Sequence, residues 1–256
     1  MKKLVQDFRL IRNRRVNDEY YVLELKADNN LPEIKPGQFA ELRVDNSDDV
    51  FLRRPISFYD IDFQDNIIHL LIQEVGKGTR KLAEAEEGEM INMIYPLGNS
   101  FNCQGVHRAL LIGGGVGVAP LLFLGKYLKE KGIEPTFVLG FRSKELLVDI
   151  SEFEKYGPVH LTTDDGSAGE RGIVLNHSAL SHNLSVYEKI YTCGPEIMMK
   201  AVACFALENE IECEASLENT MACGFGACLC CVQQTVHGNL RVCEEGPVFN
   251  TKEIIW

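Results

Sequence analysis

Five cysteines, Cys223, Cys228, Cys230, Cys231 and Cys243, fall within 21 residues of this chain. With Cys230 set aside they read C-x4-C-x2-C-x11-C, and the spacing of the first three cysteines, x4 then x2, equals the plant-type [2Fe-2S] pattern. Such spacing wraps one loop around a compact inorganic core. Gly224 and Gly226 stand between the first two thiols, removing side chains so that backbone N–H groups can approach cluster sulfurs and tune the potential. A structural zinc ion is the alternative, although zinc sites are usually built from two short knuckles rather than x4 followed at once by x2. Unligated thiols are a third reading. Cys230, between two ligands, is expected to point away from the cluster.

The 256 residues hold nine cysteines, an odd number, and the basic start Met1-Lys2-Lys3 has no apolar segment behind it. The expectation is reduced thiols in a cytoplasmic protein, not a disulfide framework. A net charge of -11 opposes general nucleic-acid binding, which needs the opposite sign. The one uncharged run to consider for a membrane, Ala109 to Gly125, holds five glycines and Pro120 and falls short of the ~20 residues a spanning helix needs. It reads as a strand, a glycine turn and a buried helix, so no membrane span is expected.

Two rhythms divide the chain. From Phe8 to about Leu97, short alternating runs (Tyr20 to Leu25, Gln38 to Val44, Ile67 to Gln73) are separated by Pro36-Gly37, Asp65-Asn66 and Gly76-Lys77-Gly78, as in an antiparallel sheet or small barrel. From Arg108, buried runs such as Ala109 to Ile112, Thr136 to Leu139, Val159 to Thr162 and Ile190 to Thr192 alternate with helix-like stretches, which implies a parallel sheet with crossover helices. The first boundary lies between Asn99 and His107, and a third section begins near Glu212. The expected units are residues 1–100, 101–211 and 212–256, with no internal repeat.

Several short motifs can carry ligands. Leu110 to Leu122 contains Gly113, Gly114, Gly115 and Gly117 before Pro120. Glycines leading into a helix N-terminus can receive a pyrophosphate, though Val118 stands where the third glycine of a strict G-x-G-x-x-G would be. A plain strand-to-helix turn is the bland reading. Arg53-Arg54-Pro55-Ile56-Ser57 offers guanidinium and hydroxyl groups suited to phosphate, or is merely a strand end. Taken alone, Gly76-Lys77-Gly78-Thr79 favours a hairpin turn over a phosphate contact.

In order along the chain, Arg54 to Ser57, Gly78-Thr79, Gly113 to Pro120 and Cys193-Gly194-Pro195 resemble the ferredoxin reductase-like flavoprotein family. The cluster segment with Cys243-Glu244-Glu245-Gly246-Pro247-Val248-Phe249 narrows the resemblance to the electron-transfer subunits of NAD-dependent, B-type dihydroorotate dehydrogenases. It covers nearly the whole chain and implies an antiparallel Greek-key FAD-binding β-barrel of six strands, an α/β NAD-binding domain and a small [2Fe-2S] subdomain. By that resemblance Arg54, Pro55, Ile56 and Ser57 hold the FAD diphosphate and reach the flavin ring. Leu71, Ile72 and Gln73 line the flavin and ribityl chain, and Gly78 and Thr79 bind the diphosphate. Gly113, Gly114, Gly115, Gly117, Pro120, Gly194 and Pro195 shape the NAD cleft, with Cys193 near the nicotinamide. Cys223, Cys228, Cys231 and Cys243 hold the cluster. The implied partner is an FMN-containing dihydroorotate dehydrogenase catalytic subunit, two copies of each in a heterotetramer serving pyrimidine biosynthesis. Cys230 and Glu245 are minor departures from the family pattern.

The rivals are a reductase subunit of a sulfhydrogenase, bifurcating or oxygenase system and, in another class, a zinc-bearing nucleotide-binding scaffold without redox work. No H-E-x-x-H, G-x-S-x-G or catalytic dyad occurs, as fits a hydride and electron carrier that needs no side-chain acid or base. Asp164-Asp165-Gly166-Ser167 reads as a turn. His69, His107, His160, His177, His182 and His237 show no i, i+4 pair, so a second metal site is unsupported. Arg142, after the second strand of the α/β domain, is placed to meet a 2′-phosphate, while the family resemblance favours NAD. Trp256 is expected at a frayed terminus. Cys103, Cys204 and Cys213 receive no role.

Overall fold

In the computed structural model, which describes residues 2–45, 47, 49–181 and 183–256, the alternating N-terminal runs form strands β1 (Leu4–Arg15), β2 (Tyr20–Lys26), β3 (Phe39–Leu42), β4 (Arg54–Ser57), β5 (Asp60–Asp62), β6 (Ile67–Gln73) and β7 (Met90–Leu97), with helix α1 (Lys77–Ala83) before β7. They make one antiparallel sheet in the order β4-β3-β7-β1-β2-β6-β5. Among the described residues the short β5 makes seven strands where the resemblance implies six. Alternation buries one face: Phe8, Leu10, Leu23, Leu25, Leu42 and Leu70 are all fully buried in a single cluster.

The continuous apolar runs behave as parallel strands buried on both faces. β8 (Arg108–Gly114), β9 (Glu134–Phe141), β10 (Val159–Thr163), β11 (Glu170–Arg171), β12 (Lys189–Cys193) and β13 (Glu212–Ser216) alternate with α2 (Ala119–Glu130), α3 (Ile150–Glu154) and α4 (Glu196–Glu208). The sheet order is β11-β10-β9-β8-β12-β13, and β16 (Val248–Asn250) joins β13 antiparallel at the edge. After β8 the chain builds outward on one side and then returns to lay β12 on the other. The strand order therefore reverses between β8 and β12, and ligands bind outside the carboxyl ends at such a switch point. Ala109 to Gly125 is β8, a single 3-10 turn (Gly115–Val118) and the start of α2. Among the described residues no helix is long and apolar enough to cross a membrane.

β13 and β16 both fall within residues 212–256, so the cysteine segment is an insertion between two paired strands of the parallel sheet. It carries a hairpin, β14 (Val232–Thr235) and β15 (Gly238–Arg241). Its core joins Cys231, Val242 and Cys243 to Phe39 and Leu97 of the first sheet and Met199 of α4. Asn99, in the link between the sheets, fastens it: Nδ2 donates to Glu245 O and Val248 O at 2.8 Å each, and Oδ1 accepts from Val248 N at 2.9 Å.

The two sheets share an apolar seam in which Tyr20, Val22, Tyr59 and Leu71 pack with Phe101, Val118, Ala119 and Leu122. Full burial of a large apolar side chain contributes about 1.5–3 kcal/mol, enough over eight residues to fix their relative placement. Lys126 Nζ adds direction, donating to Asp60 Oδ1 and Ile61 O at 2.8 Å each.

Candidate functional site

β4 and β6 are not neighbours in the first sheet, yet the sheet curls so that both wall one pocket of about 330 Å³. Arg54, Pro55, Ile56, Ser57, Leu71, Ile72, Gln73 and Thr79 line it. Gly78 lies just behind: a Cβ there would come within 2.3 Å of Arg54 Nε, so glycine lets the guanidinium rest on the first turn of α1. Residues 76–79 start that helix and are not the hairpin turn favoured from sequence. Thr79 explains the difference, because its hydroxyl donates to Gly76 O at 3.1 Å and accepts from Val75 N at 3.0 Å. That hydroxyl shapes the turn and is not free for a ligand. The opposite wall, Ser216 to Met221, was missed from sequence. Its only signal was its place just before Cys223. A cationic end and a slot walled by Pro55, Ile56, Leu71 and Ala119 fit a ligand with an anionic tail and a flat ring, as FAD is.

A second cleft of about 950 Å³ opens at the carboxyl ends of the parallel strands. Gly114 ends β8 and Gly115, Val116 and Gly117 follow it, Arg142 follows β9, Asp164 follows β10, and Gly194 and Pro195 follow β12; all line it. Gly117 is required by close approach, since a Cβ there would lie 2.4 Å from Gly194 Cα. Gly115 has φ +55, a left-handed conformation suited to glycine. Gly113 and Pro120 do not line the cleft. A Cβ at Gly113 would meet Leu121 Cδ1 at 2.8 Å, so this glycine serves strand-to-helix packing, and Pro120 is buried in α2.

Cys193, expected near the nicotinamide, stands next to the cleft residue Gly194 but does not itself line the cleft. It has no exposed surface and is absent from the cleft wall, because β12 is buried along its whole length. Burial pushes its thiol well above the ordinary value, only partly offset by the Ser216 hydroxyl and the Gly194 N–H. The expectation for Trp256 is corrected. It is half-buried, lines the nucleotide cleft and follows a segment tied down by the Ile255 N to Gln234 O hydrogen bond at 3.0 Å. Cys230 faces the same cleft. Gln73, Val116, Leu217, Glu218, Asn219 and Thr220 line both pockets, so the two adjoin. Glu218 stands at that junction, open to the cleft but crowded by protein, and desolvation raises its carboxyl.

The four proposed ligand thiols stand as two pairs, Cys223 with Cys228 and Cys231 with Cys243. Amides converge on them: Gly226 N donates to Cys243 Sγ at 3.1 Å, Ala227 N to Cys223 Sγ at 3.3 Å, and Cys243 N to Cys231 Sγ at 3.4 Å. Gly224 and Gly226 have φ +71 and +87, which turns those N–H groups inward. Burial raises the Cys223 thiol, but the N–H groups of Phe225, Cys228 and Ala227, together with the Cys228 thiol, outweigh it and bring it down to about 6. Burial and the neighbouring Cys231 thiol push Cys243 up to about 12. Arg241 braces the loop, Nη1 donating to Gly226 O at 3.0 Å and Nε to Glu245 Oε2 at 3.0 Å. Two thiol pairs can give two ligands to each of two irons, as the [2Fe-2S] pattern needs. Among the described residues no three His, Cys, Asp or Glu side chains are grouped to hold a single metal ion; His182 lies outside them.

Glu41 of β3 was not anticipated. It is fully buried, both carboxylate oxygens lack a hydrogen-bond partner, and its side chain lies against Gly224. Burial pushes its carboxyl up to about 7, with Arg53 drawing it down and Cys223 raising it further. Asp164 to Ser167 do form the expected turn, with Asp165 Oδ1 accepting from Ser167 N at 2.9 Å, but Asp164 also faces the nucleotide cleft.

Residues 111–203 match the family description "Oxidoreductase NAD-binding domain", and residues 218–255 match "Iron-sulfur cluster binding domain of dihydroorotate dehydrogenase B". Among solved structures, an NADH-dependent reduced ferredoxin-NADP oxidoreductase studied for flavin-based electron bifurcation aligns with TM-score 0.87 and 29% identity, covering 97% of this chain and 90% of that one. A ferredoxin reductase of carbazole 1,9a-dioxygenase shares the fold, with TM-score 0.71 and 22% identity over 82% of this chain and 67% of its own. Fold and adjoining pockets define an oxidoreductase of the ferredoxin reductase-like class. Proteins named dihydroorotate dehydrogenase B (NAD(+)), electron transfer subunit, are similar along the full length: 35% identical in Fusobacterium nucleatum, covering 98% of each chain, and 38% in Clostridium acetobutylicum, covering 100% of this chain and 99% of the other. The chain belongs to that family of electron transfer subunits.

Proposed function

We propose that this chain works beside an FMN-containing dihydroorotate dehydrogenase catalytic subunit, as a two-plus-two heterotetramer in the cytoplasm. In pyrimidine biosynthesis it passes electrons released as dihydroorotate becomes orotate through a [2Fe-2S] cluster and FAD to NAD+. One observation carries this reading: Ser216 to Met221 wall the flavin pocket, 217 to 220 also wall the nucleotide cleft, and Cys223 follows Met221 by two residues. Two residues span at most about 7 Å between Cα atoms, so one short segment adjoins all three sites.

Arg54, resting on Gly78, holds the FAD diphosphate, while Pro55 to Ser57 and Leu71 to Gln73 grip the ring and ribityl chain. Gly114, Gly115, Gly117, Gly194 and Pro195 admit the nicotinamide nucleotide, and Cys223, Cys228, Cys231 and Cys243 hold the cluster. When bound, FAD supplies the exchange between hydride pairs and single electrons. The chain's own part is to bind, orient and exclude water. Residues 1–100, 101–211 and 212–256 are the corresponding functional units, β13 and β16 being lent by the third to the sheet of the second.

Co-purification from the native cell tests the proposal. The expected partner carries FMN, and the complex reduces NAD+ with dihydroorotate. A partner without FMN and no such reduction would refute it. Iron-containing, coloured protein in that case moves the chain to a sulfhydrogenase, bifurcating or oxygenase reductase, the reading its likeness to the ferredoxin-NADP oxidoreductase structure favours.

A further inference from the structure

Arg142 directly follows β9, the second parallel strand, and lines the nucleotide cleft. An arginine near this point can accept a 2′-phosphate. Its guanidinium, however, is engaged: Nη2 pairs with Glu19 Oε1 across the boundary between the two sheets. Glu19 is itself fixed from behind, Oε2 accepting from Gln73 Nε2 at 2.7 Å and its backbone N–H donating to Asn17 Oδ1 at 3.0 Å. The other ionisable carboxyls of the cleft wall are Asp164, Glu196 and Glu218, and Arg142 is its one cationic side chain among the described residues. With Arg142 neutralised, no free positive charge is left to meet a phosphate. A phosphate monoester adds about -1.5 to -2 charges near neutral pH, and a ribose hydroxyl adds none.

We propose that Glu19, in the turn between β1 and β2 of the flavin-binding sheet, makes the cleft select the nucleotide lacking a 2′-phosphate by holding Arg142 in an ion pair. The pair is partly exposed and alone resists a competing anion weakly; the surrounding carboxyls add to the rejection. The inference rests on the nucleotide site of the proposed function.

Calorimetric binding of 5′-AMP and 2′,5′-ADP to the FAD-loaded full chain tests it. Glu19→Gln keeps size and removes charge. It is expected to tighten 2′,5′-ADP relative to 5′-AMP by about tenfold or more, the worth of a hydrogen bond to a charged group, and the gain should shrink in high salt. Adding Arg142→Leu should abolish it. Glu19→Ser carries the same expectation should the first variant fail to fold. An unchanged ratio, an equal loss of both ligands, or a gain that survives Arg142→Leu overturns the inference. Wild type that binds neither ligand overturns the nucleotide site itself, a separate result.

Discussion

Replacing Gly117 by alanine tests the contact that shapes the nucleotide cleft. The added methyl would lie 2.4 Å from Gly194 Cα, 2.5 Å from Gly194 N and 2.7 Å from Cys193 C, against an ordinary carbon separation of about 3.5–4.0 Å. All three atoms are backbone, so no side-chain rotation relieves the clash. The turn after β8 must part from the turn after β12 by about 1 Å. Overpacking of this kind costs about 1–3 kcal/mol, and at about 2–4 °C per kcal/mol for a protein of this size the melting temperature should fall by about 2–12 °C. Because the strain sits between the two turns that line the cleft, KM for NADH should rise as well, while bound FAD is retained. Thermal unfolding followed by circular dichroism and steady-state NADH oxidation read the two effects. Gly76→Ala is the stability control, since its Cβ meets nothing within 4 Å and its φ of -156 is ordinary extended backbone. A Gly117→Ala protein that melts with wild type and keeps its KM would refute the reasoning.

Cys228→Ser should lose or destabilise the cluster while FAD-dependent NADH oxidation by an artificial acceptor largely survives; full iron content would refute the ligand assignment. Asn99→Ala removes three hydrogen bonds to residues 245–248, worth about 0.5–1.5 kcal/mol each, and iron should be released at lower denaturant than FAD, as absorbance and iron assays would show. Glu41, with its carboxyl raised to about 7, stays protonated in the folded chain while the unfolded chain already ionises. Its contribution to stability is therefore full below the ordinary carboxylate range and lost as pH climbs to about 7. Glu41→Gln should then be more stable than wild type at pH 8, by on the order of 3 kcal/mol, and close to it at pH 4.5; equal denaturant midpoints at both would contradict this.

Features governed by local chemistry were legible in the sequence. The change from period-two alternation to buried runs gave both sheets and the link between β7 and β8, and the cysteine spacing marked the loop whose amides converge on sulfur. What escaped were relations between distant residues. Nothing near Glu41 announces that Gly224 lies against it, nothing near Glu19 that Arg142 answers it, and Ser216 to Met221 look like a plain connector until the curl of the first sheet meets them. The burial of Cys193 was hidden for a related reason: adjacency to Gly194 in sequence does not say which face of a doubly buried strand its thiol occupies. Trp256 was misread because the backbone bond that ties down its neighbour depends on a hairpin more than twenty residues upstream.

Above all, one chain is expected to hold a flavin and a two-iron cluster side by side. Anaerobic purification followed by visible absorption, metal analysis and electron paramagnetic resonance after dithionite reduction tests it directly. The expected result is a coloured protein with one FAD and two irons per chain and a spin one-half signal from the reduced cluster. A colourless, iron-free protein containing zinc would contradict it.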